Sequence, residues 1–140
     1  IREAAEREER AFYERRAPAA WLEALAPLGT DFVKTHLTDA PWVVVVFRRD
    51  HEPSPEGGAL KAYYATESVG IAVGFFLSAL HRAGLAALTH TPAPMTFLRE
   101  LCGRPANEKP FVLVPVGYPS DGCVVPALER KPLAEIAEVR

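Results

Sequence analysis

Residues 42–47 read WVVVVF, four consecutive valines between two aromatic side chains. Such β-branched residues are stiff at χ1 and fit a pleated strand better than a helix. With no polar alternation, the run has the pattern of a strand covered on both faces. A chain that contains it must supply a layer on each side. The best cover is the long, strongly apolar helical pattern at residues 61–83, closed by Gly84 where a helix ends in a left-handed residue. Gly70, Ala72, Gly74 and Ala79 keep this helix thin enough for another helix or a flat ligand to approach closely. The reading is a buried central helix.

The other segments attach to that pair. Residues 2–16 are charged or Ala, with Phe12 and Tyr13 the only aromatics, so they form a helix too polar to be a core element by itself. Pro18 interrupts the pattern. It resumes at 19–26 with Trp21, Leu22 and Leu25 on one face, and Thr30 or Asp31 caps a short third helix through Leu37. Residues 48–58, with Pro53, Pro55, Gly57 and Gly58, read as a loop. Residues 85–91 read as a strand or extended segment ending at Pro92, and Pro94 suits the first turn of a helix running to Leu101. Residues 111–118 form a second strand, whose Pro115 implies an edge or a bulge. A tail with a short helical stretch at 132–137 completes a single α+β or three-layer domain.

Composition excludes several function classes. Sixteen Lys and Arg against 18 Asp and Glu give a formal charge of −2, without the basic stripe of a nucleic-acid binder. The longest apolar stretch, 69–80, carries Gly and Ser and falls short of the roughly 18 residues that span a bilayer. The first residues are mostly charged, unlike a secretory signal. Cys102 and Cys123 lack CxxC spacing, and His36, His51, His81 and His90 are scattered, so neither a disulfide framework nor a metal site is expected. There is no Gly-rich phosphate loop, and Ser68 and Ser78 lack the context of a catalytic nucleophile. These features read as a cytoplasmic domain that meets neither membrane nor nucleic acid. The chain opens on Ile1 inside a helical pattern without a capping residue, which leads us to expect sequence upstream of it.

Longer residue strings go further. Residues 63–72 (YYATESVGIA) with 83–85, then 89–95 (THTPAPM), 103–110 (GRPANEKP), 115–119 (PVGYP) and 130–133 (RKPL) resemble the nitroreductase flavoprotein superfamily, and within it the iodotyrosine deiodinase branch. The resemblance extends from Ile1 to about Glu138. It implies a three-layer α+β sandwich forming an intertwined homodimer, with two FMN sites at the subunit interface. Residues 1–37 would be the helical lid region and 38–140 the core and tail, in a domain lacking its N-terminal FMN-phosphate segment. In the branch a lid Glu, Tyr and Lys grip the zwitterion of a halotyrosine lying on the flavin, and Glu9, Tyr13 and Lys34 fall at that spacing. Glu9 and Tyr13 share a helix face as an i,i+4 pair. By itself the trio is also what a Glu-rich helix produces by chance. The resemblance further implies that Thr89, His90 and Thr91 line the flavin edge, with the Thr91 hydroxyl at N5 as the catalytic contact. An ordinary turn residue before Pro92 is the alternative for Thr91. Arg130 matches the C-terminal Arg that reaches the FMN phosphate, with Lys131 a weaker second.

Three functional readings follow from the resemblance. The first is FMN-dependent reductive dehalogenation of halotyrosines, with NAD(P)H as electron donor. The second is a general NAD(P)H-dependent nitroreductase of the same fold. The third is a truncated fragment that dimerises without flavin or catalysis.

Overall fold

The computed structural model describes residues 1–140. Helix α1 (Arg2–Arg15) is followed by α2 (Ala19–Leu25), a 3-10 turn (Ala26–Leu28) and the one-turn helix α3 (His36–Asp39). Strand β1 (Trp42–Arg49) leads into a small hairpin of β2 (His51–Pro53) and β3 (Ala59–Lys61), then into the long helix α4 (Ala65–Arg82). Strand β4 (Ala86–Ala87), helix α5 (Phe97–Leu101), strand β5 (Glu108–Gly117) and helix α6 (Leu133–Ile136) complete the order. No helix is long and apolar enough to cross a membrane.

The main sheet runs β1-β5-β4, antiparallel throughout. Residues alternate across β5. Val112, Val114 and Val116 face Val73 of α4 in a buried cluster, joined by Val44 and Val46 of β1 and by Val69, Phe76, Leu77 and Leu80 of α4. Those α4 positions recur at helical spacing and make one stripe. On the other face of β5, Leu113 is completely buried, as are Pro92 and Leu98 of α5. The sheet therefore lies between α4 and a second layer of helices, as a three-layer α+β sandwich.

Several elements differ from the sequence reading. Pro115 is neither at an edge nor at a bulge: it sits in the middle strand, opposite Val43. Its carbonyl accepts from Leu88 on the β4 side, so its missing N–H also faces that short strand and leaves the β1 ladder intact. The bulge comes at Phe111, which the register skips between Val46↔Val112 and Phe47↔Pro110. The 48–58 loop contains one strand of the β2–β3 hairpin. Its partner, β3, takes Lys61 from the expected long helix, which starts only after the left-handed Tyr64 (φ 56°). Likewise α5 starts at Phe97 rather than Pro94, and α3 is confined to one turn because Asp31 spends its carboxylate on the Val33 N–H in a local turn.

The buried central helix is the largest correction. Within the chain α4 fully buries only Val73, while Ile71 and Phe75 are 64% and 74% exposed, and β1 is only half-buried. One side of α4 packs on the sheet and a second apolar stripe faces outward. Where β5 ends, a Cβ on Gly117 would come within 2.7 Å of the Pro41 ring, so the bare backbone is what lets these segments cross.

Candidate active site

The site grows from one face of α1. Ala5 and Glu9, four residues apart, are both buried, and Tyr13 one turn further is half-buried. Glu6, on the neighbouring face, accepts the backbone N–H of Lys34 at 2.9 Å and the Arg2 guanidinium at 2.7 Å. These two contacts hold its carboxyl below the usual carboxylate range. The segment before α3 is thereby fastened to α1, and the Lys34 side chain is delivered to Glu9.

Glu9 is the centre of a buried polar cluster. Its Oε2 is 2.7 Å from Lys34 Nζ, and its Oε1 is 2.6 Å from His90 Nε2. The three side chains are between 5% and 10% exposed. Lys34 Nζ also donates to the Asp31 carbonyl. Burial works to raise the Glu9 carboxyl, but the hydrogen bonds from His90 and Lys34 outweigh it, so the group is held below its ordinary value. His90 is fixed through its backbone, which exchanges two 2.9 Å hydrogen bonds with Leu113 at the centre of the sheet. The His36 ring stands edge-on to that of His90 with centroids 5.2 Å apart. Burial first, and then the neighbouring His90 and Lys34, push its imidazole below the usual histidine value.

Beside this cluster opens a cavity of about 380 Å³. Glu9, Tyr13, Lys34, Thr89, His90 and Thr91 all line it, so the fold brings six of the seven expected site residues together. Phe12, Tyr13 and Trp21 form an edge-to-face aromatic wall, with centroids 5.1 to 5.9 Å apart. Lys34 Nζ lies 5.5 Å from the Tyr13 ring. The wall was half legible: Trp21 and Leu25 share a helical face in the sequence, but nothing local says that Phe12 turns toward Trp21. Arg130 is the seventh residue. It lies in the exposed tail beyond β5, makes no hydrogen bond or ion pair, and does not line the cavity.

The donor set suits the polar edge of a flavin ring. Thr89 and Thr91 are exposed at the cavity, alternate with buried His90, and have side-chain hydroxyls with no partner in the chain. His90, expected at the flavin edge, instead spends its Nε2 on Glu9. The only cation lining the cavity, Lys34, is already paired, so these residues fit the ring rather than the phosphate. Two charged grips and an aromatic wall beside free hydroxyls can hold a small zwitterion with an aromatic body.

The chain is similar to several known proteins over most of its length. Iodotyrosine deiodinase of Haliscomenobacter hydrossis is 54% identical over 99% of this chain and 63% of its own length. Human iodotyrosine deiodinase 1 is 42% identical over 97% of this chain and 47% of its own. The chain thus spans between about half and just under two thirds of these curated relatives. A crystal structure of oxidised iodotyrosine deiodinase bound to FMN and 3-iodo-L-tyrosine superposes with a TM-score of 0.80 at 31% identity, covering 100% of this chain and 67% of that one. The Nitroreductase family model matches residues 2–118, and the chain belongs to that family.

Proposed function

We propose that the protein carrying this chain is an FMN-dependent oxidoreductase that reductively dehalogenates halotyrosines. The observation that carries the reading is the convergence of Glu9, Tyr13, Lys34, Thr89 and Thr91 on one cavity, in a chain 54% identical to an iodotyrosine deiodinase. Bound FMN would supply the electrons for the reduction, recharged by NAD(P)H.

The chain's own residues have separable tasks. Glu9 Oε2 accepts from the substrate ammonium, taking up the interaction it now makes with Lys34. The freed Lys34 ammonium and the Tyr13 hydroxyl then donate to the substrate carboxylate. Phe12 and Trp21 cover the aromatic ring and exclude water from it. Thr91 would present its hydroxyl to flavin N5, with Thr89 beside it. Arg130 would serve the FMN phosphate after the tail is placed against a second copy, and the uncovered Ile71 and Phe75 stripe of α4 supports such a homodimer.

Titrating the FMN-loaded protein with 3-iodo-L-tyrosine tests the reading. Saturable quenching of flavin fluorescence, and iodide release after reduction, are expected. Lys34→Ala should weaken binding while FMN content is retained. Turnover of nitroaromatics without any response to iodotyrosine would favour a general nitroreductase. A protein that stays colourless with excess FMN would overturn both enzymatic readings.

A further inference from the structure

Glu9 is gripped from two sides, and the two grips differ in kind. Lys34 reaches Oε2 with a flexible side chain whose ammonium has a second acceptor, the Asp31 carbonyl. His90 reaches Oε1 from a backbone locked to Leu113 at the centre of the sheet, and its side chain is about nine-tenths buried. One partner can leave; the other cannot.

The protonation pattern follows from the contacts. An ionised carboxylate only accepts, so His90 Nε2 carries the proton it shares with Glu9. Its Nδ1 is buried with no partner, as is Nε2 of the adjacent His36. The contact with Glu9 therefore requires hydrogen on Nε2, whatever Nδ1 carries.

We propose that His90 is a positioning residue for substrate: it pins Oε1 of Glu9 so that Oε2 alone exchanges between Lys34 and the ammonium of an incoming amino acid. The inference rests on the halotyrosine reading. It moves His90 from the cofactor side of the site, where the sequence placed it, to the substrate side. Without the pin, a carboxylate on a long side chain rotates with Lys34 when the pair opens, and the ammonium meets no fixed acceptor. The pinned oxygen acts through geometry: with Oε1 held, Oε2 stays in one place for the ligand.

The experiment compares two probes on the FMN-loaded protein, followed by flavin fluorescence. The first is 3-iodo-L-tyrosine; the second is 3-(4-hydroxy-3-iodophenyl)propanoate, which keeps the ring and carboxylate but lacks the ammonium. His90→Leu should weaken iodotyrosine binding about tenfold or more and change the propanoate by less than about threefold. His90→Gln, whose amide N–H replaces the Nε2 donor, should recover most of the iodotyrosine affinity. Equal losses for both probes, or no loss for either, would overturn the assignment. A wild-type protein that binds neither probe overturns the halotyrosine reading, and the positioning role falls with it; this result needs no variant to recognise. Nitrogen-15 NMR of the imidazoles in the wild-type protein gives a second measurement that needs no substrate. It should show hydrogen on Nε2 of His90, and hydrogen on Nδ1 instead would refute the pin.

Discussion

Replacing Lys34 by Met tests the buried cluster most directly. The change keeps the length and apolar stem of the side chain but removes the ammonium 2.7 Å from Glu9 Oε2. Breaking a buried ion pair from one side costs about 3–5 kcal/mol, because the surviving charge is left without compensation. Here His90 still donates to Oε1, and a hydrogen bond to a charged group is worth about 1.5–3 kcal/mol. The balance is a loss of roughly 2 kcal/mol at neutral pH. Its pH dependence is the sharper signature. In the wild type Glu9 titrates below the unfolded value of 4.5, so its contribution is present above that value and lost as pH falls through the depressed one. In the variant the lowering by Lys34 is gone while the burial cost and the His90 hydrogen bond remain, so the carboxyl titrates higher than in the wild type. The higher value lowers the variant's stability relative to the wild type at neutral pH, and that difference fades as the carboxyl protonates in both proteins. Urea unfolding from neutral pH down into the acid limb below about pH 4.5 should therefore show the gap between variant and wild type narrowing as Glu9 protonates. Adding Glu9→Gln should recover part of the loss, since no buried charge then remains. A gap that is constant, or that widens in acid, would mean that Glu9 is solvated despite its burial, and the reasoning would fail.

Three further outcomes are expected. Glu108 is buried between two arginines, and the hydrogen bond from Arg104, assisted by Arg49, holds its carboxyl below 4.5 against burial. Its contribution is thus lost as pH falls below about 4.5, and Glu108→Gln should flatten the acid limb of the stability profile there. Leu98→Ala removes a side chain that is 0% exposed and should cost about 2–5 kcal/mol by chemical denaturation; a loss under about 1 kcal/mol would show that α5 collapses onto the vacancy. Gly117→Ala places a Cβ 2.7 Å from a stiff proline ring and should cost about 1–3 kcal/mol, read as a lowered Tm. An unchanged Tm would show that the chain at Pro41 yields freely.

What could be read from the sequence was what repeats at short range. Helix spacing put Glu9 and Tyr13 on one face and Trp21 with Leu25 on another, and the valine run announced β1. The β2–β3 hairpin was hidden because its strands, His51–Pro53 and Ala59–Lys61, are too short and polar to alternate, and proline and glycine between them read as loop. The layer over α4 was read too generously. An apolar helix pattern reports how much surface seeks cover, but not whether the same chain supplies it, and the Ile71 and Phe75 side remains exposed here.

The hydrogen bond between Glu9 and His90 joins residues 81 positions apart, and no spacing rule reaches that far. It depends on the register that pairs His90 with Leu113. Moving that register by one residue would turn the whole strand over, sending His90 to the opposite face and bringing a threonine toward Glu9. The carboxylate proposed to receive substrate is thus held by a residue that sheet pairing places, while the lysine proposed to leave it is carried on a segment tied to α1 through Glu6. A lid that recognises a zwitterion needs this division. The acceptor has to be fixed before the ligand arrives, and the competing cation has to be free to move.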